Sequence, residues 1–539
     1  MKLIAIWTAI ALGAGAALGQ GHTLWQDGGV QLCGPHCGEP IAATSDSVGG
    51  AIVVWTDTRR WPEGVYVQRV SSNGVSLWTE SGVLVCDSTG YGRRCVTDDG
   101  KNGTIVVWST TYDNGPRLAV QRVRADGALS WGSAGLTLRP FVSELLMLPE
   151  LVRDGGGGVV IAWIACPFAG PADTLIVCRV DSSGTKRWET VVRVEDMLGD
   201  GPPDVCEDGA GGAIIAWDEY EDGVRHVRVQ RIDSAGVVKW GGAGVRACTL
   251  STTQAVRACV AVGQSRFVVG WFGGAGTWQH RAQVFDLGGN RLWGLAGMPV
   301  SAGFSSRSPS LGLPAESAGQ TVWIWTENRT GTDDLFVQKL DSAGHRCWDT
   351  TGIWLGTTDT VDGYPFSATI DGKGGAIAAW PLFRTYRNSD MYAQHVDTAG
   401  HLCWGDTGLA VCRDEEDQYQ SPTVVTDCEG GAIIAWEDGR GVMAQRVADG
   451  AGVEESYKPQ ASSHKPEATV VRGVLRLADD SRPGASSSPF WLLDAAGRTV
   501  LELHSGANDV GALAPGVYFV RQEPQTPSQK LFVRVVVAR

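Results

Sequence analysis

An internal repeat of about 54 residues constrains this chain more than any other feature. One phrase, a Gly pair followed by a small residue, aliphatic residues and Trp, has clear copies at Gly49–Trp55 and Gly211–Trp217. The Trp residues that end the eight copies, 53 to 56 residues apart, are Trp55, Trp108, Trp163, Trp217, Trp271, Trp325, Trp380 and Trp436. Chance does not hold a period so closely over seven intervals, so a repeat architecture is predicted.

A second phrase runs in parallel with the first. An apolar–Gln–basic–apolar run such as Val229–Ile232 leads through a Gly turn to another Trp. Cys178 replaces Gln in the third repeat, and the seven Gln are Gln68, Gln121, Gln230, Gln283, Gln338, Gln394 and Gln445. The second Trp set is Trp25, Trp78, Trp131, Trp188, Trp240, Trp293, Trp348 and Trp404. We expect the Trp residues to pack between repeats rather than to stack on sugars, and the Gln amides to bond neighbouring backbone.

Each repeat predicts four short strands. The Gly-Gly-Ala-aliphatic run is continuously apolar, which indicates a strand buried on both faces. The Val-Gln-Arg-Val run alternates, which indicates one more exposed face. The 72 Gly residues exclude a helical bundle, because Gly in a helix interior costs about 1 kcal/mol relative to Ala. Four strands per repeat are typical of a β-propeller blade.

The ends of the array predict a closed ring. The eighth repeat lacks a closing Trp strand, and Leu24–Cys33 resembles that strand as it occurs at Leu77–Cys86. We therefore expect the N-terminal segment to complete the last blade, which removes exposed sheet edges. The predicted fold class is all-β, with an eight-bladed propeller over residues 20–449, a small C-terminal β-sandwich, and seven blades as the alternative count.

The first residues and the charge indicate an exported protein. Lys2, an apolar run over 3–18 and Ala17-Leu18-Gly19 form the pattern of a secretory signal peptide, predicted for residues 1–19. We predict no transmembrane segment in the mature chain, since no other apolar stretch is long enough. The formal net charge is −14 and no long basic run is present, which argues against nucleic-acid binding.

The 13 Cys residues allow disulfides if the chain is exported. Close pairs favour S–S bonds over buried thiols, and none has zinc-finger spacing. The pairs are Cys33/Cys37, Cys86/Cys95, Cys166/Cys178, Cys248/Cys259 and Cys412/Cys428. Cys206, Cys347 and Cys403 have no close partner in the sequence.

Function is expected in the loops that vary between repeats, because rigid scaffolds commonly carry binding residues on variable loops. The loops after the first Trp differ in each repeat, whereas the other turns are uniform. Unselected surface loops are the alternative. The candidate binding residues there are Trp61, Tyr112, Phe168, Tyr220, Trp278, Arg329 and Tyr386.

Acidic residues suggest structural roles first. Asp residues before Gly turns, namely Asp154, Asp208, Asp371 and Asp427, are expected to cap those turns rather than to bind calcium. Two acidic runs, Asp218–Asp222 and Asp414–Asp417, are expected to be solvated loops. Nucleophile-elbow, zinc-protease and P-loop motifs are absent from the sequence, and no motif supports a metal or an organic cofactor.

The C-terminal residues change character. A linker is predicted over 450–466, and short strands with the phrases Leu493–Val500, Leu513–Val520 and Lys530–Arg539 follow. These phrases resemble the C-terminal sorting domain of the type IX secretion system, over residues 467–539. The resemblance implies recognition by the type IX machinery and export to the medium or the outer-membrane surface of a Gram-negative-type bacterium.

The sequence therefore favours a secreted or cell-surface protein that binds a glycan or a protein without catalysis, or that serves a structural role. The alternative is an extracellular glycoside hydrolase or lyase with carboxylates at the propeller centre, since paired carboxylates a few ångströms apart perform glycosidase chemistry.

Overall fold

The computed structural model describes residues 21–450 except 36, 39, 60–62, 90–93, 111–116, 140–143, 168–171, 196–200, 251–253, 264, 275–277, 302–309, 315–318, 329–332, 359–365, 386–387 and 414–421, together with seven strands between Thr469 and Val537. All the regular secondary structure among these residues is β-strand. None of them forms a helix of the length and apolarity needed to cross a membrane. The chain divides into two compact units between Val453 and Glu454. The predicted signal peptide lies outside the described residues.

The first unit is an eight-bladed β-propeller, as the sequence predicts, with four-stranded antiparallel blades. The first strands are β3 (Pro40–Ser45), β7 (Arg94–Asp98), β11 (Glu144–Arg153), β15 (Asp204–Glu207), β19 (Gln254–Val262), β23 (Ser310–Pro314), β27 (Ser367–Ile370) and β31 (Thr423–Thr426). The second strands, which carry the Gly-Gly-aliphatic-Trp phrase, are β4 (Ala51–Asp57), β8 (Thr104–Thr110), β12 (Val159–Pro167), β16 (Ala213–Glu221), β20 (Arg266–Gly273), β24 (Thr321–Asn328), β28 (Ala376–Thr385) and β32 (Ala432–Asp438).

The third and fourth strands complete the blades. The third strands are β5 (Glu63–Val70), β9 (Arg117–Val123), β13 (Asp173–Val180), β17 (Val224–Ile232), β21 (Gln279–Asp286), β25 (Asp333–Leu340), β29 (Asn388–Val396) and β33 (Gly441–Asp449). The fourth strands of blades 1 to 7 are β6 (Val83–Thr89), β10 (Leu136–Arg139), β14 (Lys186–Glu195), β18 (Val245–Arg246), β22 (Met298–Pro299), β26 (Ile353–Thr357) and β30 (Leu409–Cys412).

The ring closes through the N-terminal segment, as predicted. Two short strands, β1 (Gly21–Thr23) and β2 (Val30–Gln31), pair antiparallel with β33 and supply the fourth strand of blade 8. The register places Thr23 opposite Val447 and Val30 opposite Ala444. The first strands of neighbouring blades contact one another around the whole ring, including β31 with β3. The seven-blade alternative is therefore wrong.

The repeated Trp residues build the core, which confirms the packing prediction. The first Trp set is at most 1% exposed and packs among aliphatic residues of its own and the adjacent blade. Seven residues of the second set each lie on the glycine in the turn between the third and fourth strands of the next blade, and Trp404 lies on Gly21 of β1. Gly236 has φ +84°, and a Cβ there would stand 2.7 Å from the Trp188 ring. Only glycine meets both demands.

The repeated Gln side chains hydrogen-bond to backbone groups of the turn that follows them, as predicted. The Gln68 amide nitrogen donates to the carbonyl of Thr79 at 2.7 Å. Its amide oxygen accepts from the backbone N–H groups of Arg69 and Trp78. This side chain is fully buried, and it meets the requirement that buried amides be hydrogen-bonded.

Several blades contain a buried ion pair whose arginine also bonds to the next blade. The Asp208 Oδ1 accepts N–H groups at 2.8 and 2.7 Å, which confirms the predicted turn cap, and its Oδ2 accepts from the Arg231 Nε at 3.0 Å. The carbonyl of Leu287 in blade 5 accepts from both Arg231 and Trp240. Equivalent pairs are Asp46–Arg69, Asp99–Arg122, Asp154–Arg179 and Asp427–Arg446.

Most of the predicted disulfides are wrong. An S–S bond joins Cys33 and Cys37, but Cys86, Cys95, Cys166, Cys178, Cys248, Cys259, Cys412 and Cys428 are thiols. Strand register explains one case, because Cys178 pairs with Ile161, five positions from Cys166 along β12. Burial raises the pKa of the Cys178 thiol to about 12. Cys259 lies instead against Cys206 of the preceding blade, with 3.1 Å between the sulfur atoms.

The second unit is also built from strands. Its five-stranded sheet has the order β34 (Thr469–Val471), β40 (Phe532–Val537), β39 (Gly516–Gln522), β36 (Phe490–Leu493) and β37 (Thr499–Leu503). A separate two-stranded sheet pairs β35 (Val474–Leu477) with β38 (Gly506–Asp509). The final strand β40 is internal to its sheet, between β34 and β39. Apart from residue 450, the predicted linker lies outside the described residues.

The buried ion pairs make a first prediction. Arg231→Leu should lower the free energy of unfolding by about 3–5 kcal/mol, because it leaves the fully buried carboxylate of Asp208 without its cation. Lys239→Leu is the matched control, since its bond to Asp233 is exposed and such pairs contribute at most about 1 kcal/mol. Denaturant unfolding followed by Trp fluorescence measures both. Equal losses in the two variants would contradict the assigned role.

Ring closure makes a second prediction. A chain that starts at Cys33 lacks β1 and β2, so the edge of β33 exposes unpaired backbone groups. We expect this chain to associate and to melt at a lower temperature than a chain that starts at Gln20. Light scattering after gel filtration and a thermal melt measure the two effects. Two chains that stay monomeric with the same melting temperature would show that the closing strands are dispensable.

Candidate functional site

The variable loops lie on one face of the ring. Because the strands of each blade are antiparallel, the turns between second and third strands lie opposite the two uniform sets of turns. We call this side the loop face. Of the seven residues predicted there, Tyr220 and Trp278 are described, and the other five lie outside the described residues: Trp61, Tyr112, Phe168, Arg329 and Tyr386.

Trp278 is held on a stack of rings. Its side chain is 38% exposed and stacks on Phe272, with 5.2 Å between ring centroids and 20° between ring planes. Phe272 is buried and contacts the His280 ring at 4.9 Å, and His280 contacts Trp325 of blade 6 at 6.1 Å. We call these four residues the aromatic stack. The exposed indole is thus a flat apolar surface whose orientation is fixed by buried rings beneath it.

Strand register explains why the stack forms. Phe272 at the end of β20 pairs directly with His280 in β21, so their side chains lie on the same face of the blade. The His280 backbone N–H donates to the Ser301 hydroxyl at 3.0 Å, which ties β21 to the residues after β22. The sequence identified Trp278 as a candidate but missed Phe272 and His280. The register between two strands joined by a loop of variable length cannot be predicted from the sequence of either strand.

A network of five charged residues lies at the loop-face end of blade 4. Glu219 is 1% exposed and accepts from Arg193 of blade 3 at 2.8 Å and from Arg228 at 3.1 Å. Glu221 accepts from Arg228 at 2.8 Å and from Arg246 at 2.5 Å. The two guanidinium groups hold the pKa of Glu221 below its usual range. We call these residues the charge network.

The prediction of a solvated loop over Asp218–Asp222 is wrong. Strand β16 continues to Glu221, and Asp222 and Gly223, both at positive φ, form a two-residue hairpin turn. Asp218 is buried, accepts from the Val256 backbone of blade 5 at 2.7 Å, and binds Arg225 at 2.6 Å. The signal that could have found this was the Asp-Gly turn, which sets Glu219 opposite His226. The other acidic run, Asp414–Asp417, lies outside the described residues.

His226 lies opposite Glu219 in the hairpin of blade 4. It is buried, and burial lowers its pKa below the ordinary value. The ring is therefore neutral at neutral pH and adds no charge beside Glu219. The loop face of blade 4 thus combines a neutral imidazole with carboxylates that are already matched by arginines.

Carboxylates of the innermost strands are bound in ion pairs or hydrogen bonds. Arg153 lies between Asp98 at 3.2 Å and Glu207 at 2.5 Å, on the face opposite the loop face. Arg153 and Glu207 border a pocket of about 400 Å³ that Asp99, Gly155, Gly156 and Gly157 also line. The Asp204 carboxylate accepts from the backbone N–H of Cys259 at 2.9 Å.

No protein-family model matches the chain, and no curated protein matches it. Several solved structures are similar to this chain at low identity. An ulvan lyase of polysaccharide lyase family PL25 is 12% identical, with 72% of this chain and 97% of that chain covered and a TM-score of 0.44. The propeller domain of the Trilobed protease from Pyrococcus furiosus is 9% identical, covering 65% and 93%, with a TM-score of 0.37. The α-L-arabinofuranosidase Arb93A from Fusarium graminearum is 8% identical, covering 57% and 94%, with a TM-score of 0.32.

Proposed function

We propose that this protein is an exported, noncatalytic glycan-binding protein and that Trp278 is its main sugar contact. The observation that carries the proposal is the aromatic stack. An indole that is 38% exposed rests on a buried phenyl ring at 5.2 Å, on the face where the sequence varies between repeats. The 16 Trp residues of the two repeat sets serve the scaffold, and Trp278 belongs to neither set.

A fixed indole suits a sugar because the C–H face of a pyranose is apolar and flat enough to cover an aromatic ring. A side chain that is already oriented loses little conformational entropy on binding, so more of the contact energy appears as affinity. Phe272 and His280 provide this orientation through ring contacts at 5.2 and 4.9 Å. The stack therefore functions as a platform rather than as a mobile surface residue.

Charge favours an uncharged glycan. The chain has a formal net charge of −14, which repels polyanionic ligands. The three arginines of the charge network are matched by Glu219, Glu221 and the neighbouring Glu195, which pairs with Arg193, and so do not form an anion site. Glu221 is 41% exposed at its side chain and can accept hydrogen bonds from sugar hydroxyls. Neutral hexose and pentose polymers are the ligand class that fits.

The third prediction tests this platform. The full chain should bind at least one neutral polysaccharide on a glycan array, and Trp278→Ala should weaken that binding at least tenfold, which corresponds to about 1.4 kcal/mol. Trp354→Ala is the matched control, because Trp354 is also 38% exposed but lies on β26, an outer strand. Isothermal titration measures both affinities, and thermal melts verify folding.

Two results would overturn the proposal. The first is no binding of the full chain to any glycan. The second is an equal effect of the two Trp substitutions, which would show that exposed indoles contribute without regard to the loop face. Release of reducing or unsaturated sugar ends by the full chain would favour the hydrolase or lyase alternative.

We further propose that the C-terminal unit is a type IX sorting domain that directs the propeller across the outer membrane. The support is the three phrases within residues 467–539 and the signal-peptide pattern at residues 1–19. The last phrase supplies β40, which pairs with both β34 and β39. A chain without β40 therefore loses two of the four strand pairings of this sheet.

The fourth prediction concerns this route. In a bacterium with a type IX system, a fluorescent protein joined to a signal peptide and residues 467–539 should reach the cell surface or the medium. The same fusion ending at Gln529 should stay in the periplasm, because it lacks β40. Cell fractionation and immunoblotting measure the distribution. Equal export of both fusions would contradict the proposal.

A further inference from the structure

Blade 7 departs from the repeat at the position of the buried cation. Five blades have arginine there, bonded to the turn Asp: Arg69, Arg122, Arg179, Arg231 and Arg446. Blade 7 has His395 instead, and its turn Asp is Asp371. Where the arginines donate to a turn carbonyl of the next blade, the His395 ring meets the carboxylate of Asp449. The residue before the second Trp of this blade is Cys403.

Three different ligand types meet at this point. The His395 Nδ1 is 2.8 Å from the Asp449 Oδ1, and its Nε2 is 3.0 Å from the Asp371 Oδ2. One ligand atom each from His395, Cys403 and Asp449 lie within 4.8 Å of one another. The His395 side chain is 4% exposed, whereas that of Asp449 is 39% exposed. The cluster is therefore buried on the histidine side and open to solvent on the Asp449 side.

We propose that His395, Cys403 and Asp449 form a site for a divalent transition metal of the zinc class. Imidazole nitrogen, thiolate sulfur and carboxylate oxygen are the ligands that zinc takes in proteins, commonly four-coordinate. The fourth position falls to water on the exposed side. Among the described residues this is the group of His, Cys, Asp and Glu atoms placed closely enough to hold a metal.

Asp371 completes the arrangement as the partner of the second ring nitrogen. Metal-bound histidines usually donate their other N–H to a carboxylate or a carbonyl, which fixes the ring and strengthens the ligand. The Asp371 Oδ2 is at 3.0 Å from the Nε2, and its Oδ1 is held by the backbone N–H groups of Lys373 and Gly375. The ring thus presents Nδ1 toward Asp449 without any movement of the turn.

Charge is conserved when the metal binds. Without a metal, the His395 ring lies between the carboxylates of Asp449 and Asp371, at 2.8 and 3.0 Å, which favours the charged imidazolium. A divalent ion displaces the imidazolium proton and the Cys403 thiol proton, and the site keeps the same formal net charge. Binding therefore releases protons and is tighter at higher pH.

The site lies where the ring closes. Asp449 pairs with Gly21 of β1, and its Oδ1 also accepts from the Trp404 indole at 2.8 Å. A metal at this point would connect β29 of blade 7 with β33 of blade 8, next to the closing strand. Zinc should therefore raise the melting temperature of the full chain, since a ligand that binds only the folded state stabilises it.

The fifth prediction is a cobalt(II) titration of the metal-free full chain. We expect one equivalent to bind, with a thiolate-to-cobalt charge-transfer band in the near ultraviolet. Cys403→Ser should abolish the band. His395→Arg should also abolish it but keep the fold, because arginine is the residue that five other blades have at this position. Cys347→Ser is the matched control, since Cys347 occupies the same position in blade 6 and its backbone N–H donates to the carbonyl of Lys339.

The outcomes are distinct. Binding in the wild type and in Cys347→Ser, with loss of the band and of the zinc-dependent rise in melting temperature in His395→Arg, supports the site. No cobalt binding by the wild type overturns it. So does a band that persists in Cys403→Ser, or one that disappears in Cys347→Ser, because the sulfur ligand would then be elsewhere.

Discussion

The contact between an indole ring and a glycine is the interaction on which the rest of this propeller depends. Trp217 lies over Gly244 of its own blade, and Trp188 lies over Gly236 of the next. At both glycines φ is positive and a Cβ would stand within about 3 Å of a ring, so no other residue fits. The chain is therefore rich in both Trp and Gly because each of these contacts needs one residue of each type. The regular period follows, because each ring must reach a glycine one strand or one blade away.

Closure uses the same contact across the ends of the ring. Trp436 lies over Gly29, and Trp404 lies over Gly21, both in the N-terminal segment. The Trp25 indole donates to the carbonyl of Ser72 in blade 1, as the second Trp of other blades does to its neighbour. The N-terminal segment thus makes the contacts of a fourth strand with its own blade and with both neighbouring blades. This equivalence is why a segment of only about ten residues can complete a blade.

The period of the Trp residues sufficed to predict the blade count, the closing strand and the roles of the repeated Gln and Asp. These features depend on contacts that recur at fixed spacing, so a single sequence contains eight copies of the signal. The loop face does not recur. The burial of Glu219 depends on Arg193 from another blade, and the support of Trp278 by Phe272 depends on register. The disulfide prediction failed for a related reason, because closeness along the chain does not bring Cys166 and Cys178 together when both lie in paired strands.

Departures from the repeat are the places where function is most easily separated from scaffold. Blade 5 lacks both members of the buried ion pair and has Val262 and Val284 at the corresponding positions, as expected if the pair acts as a unit. Such a change is compensated within the blade and needs no further explanation. Blade 7 is different, because His395 retains Asp371 but gains Asp449 and Cys403 as neighbours. Replacing arginine by His395 keeps the hydrogen bond to the turn Asp and places the imidazole beside a thiol and a second carboxylate. Packing alone does not explain these added neighbours. The same reasoning separates Trp278 from the scaffold Trp residues, since its ring remains 38% exposed on a rigid support.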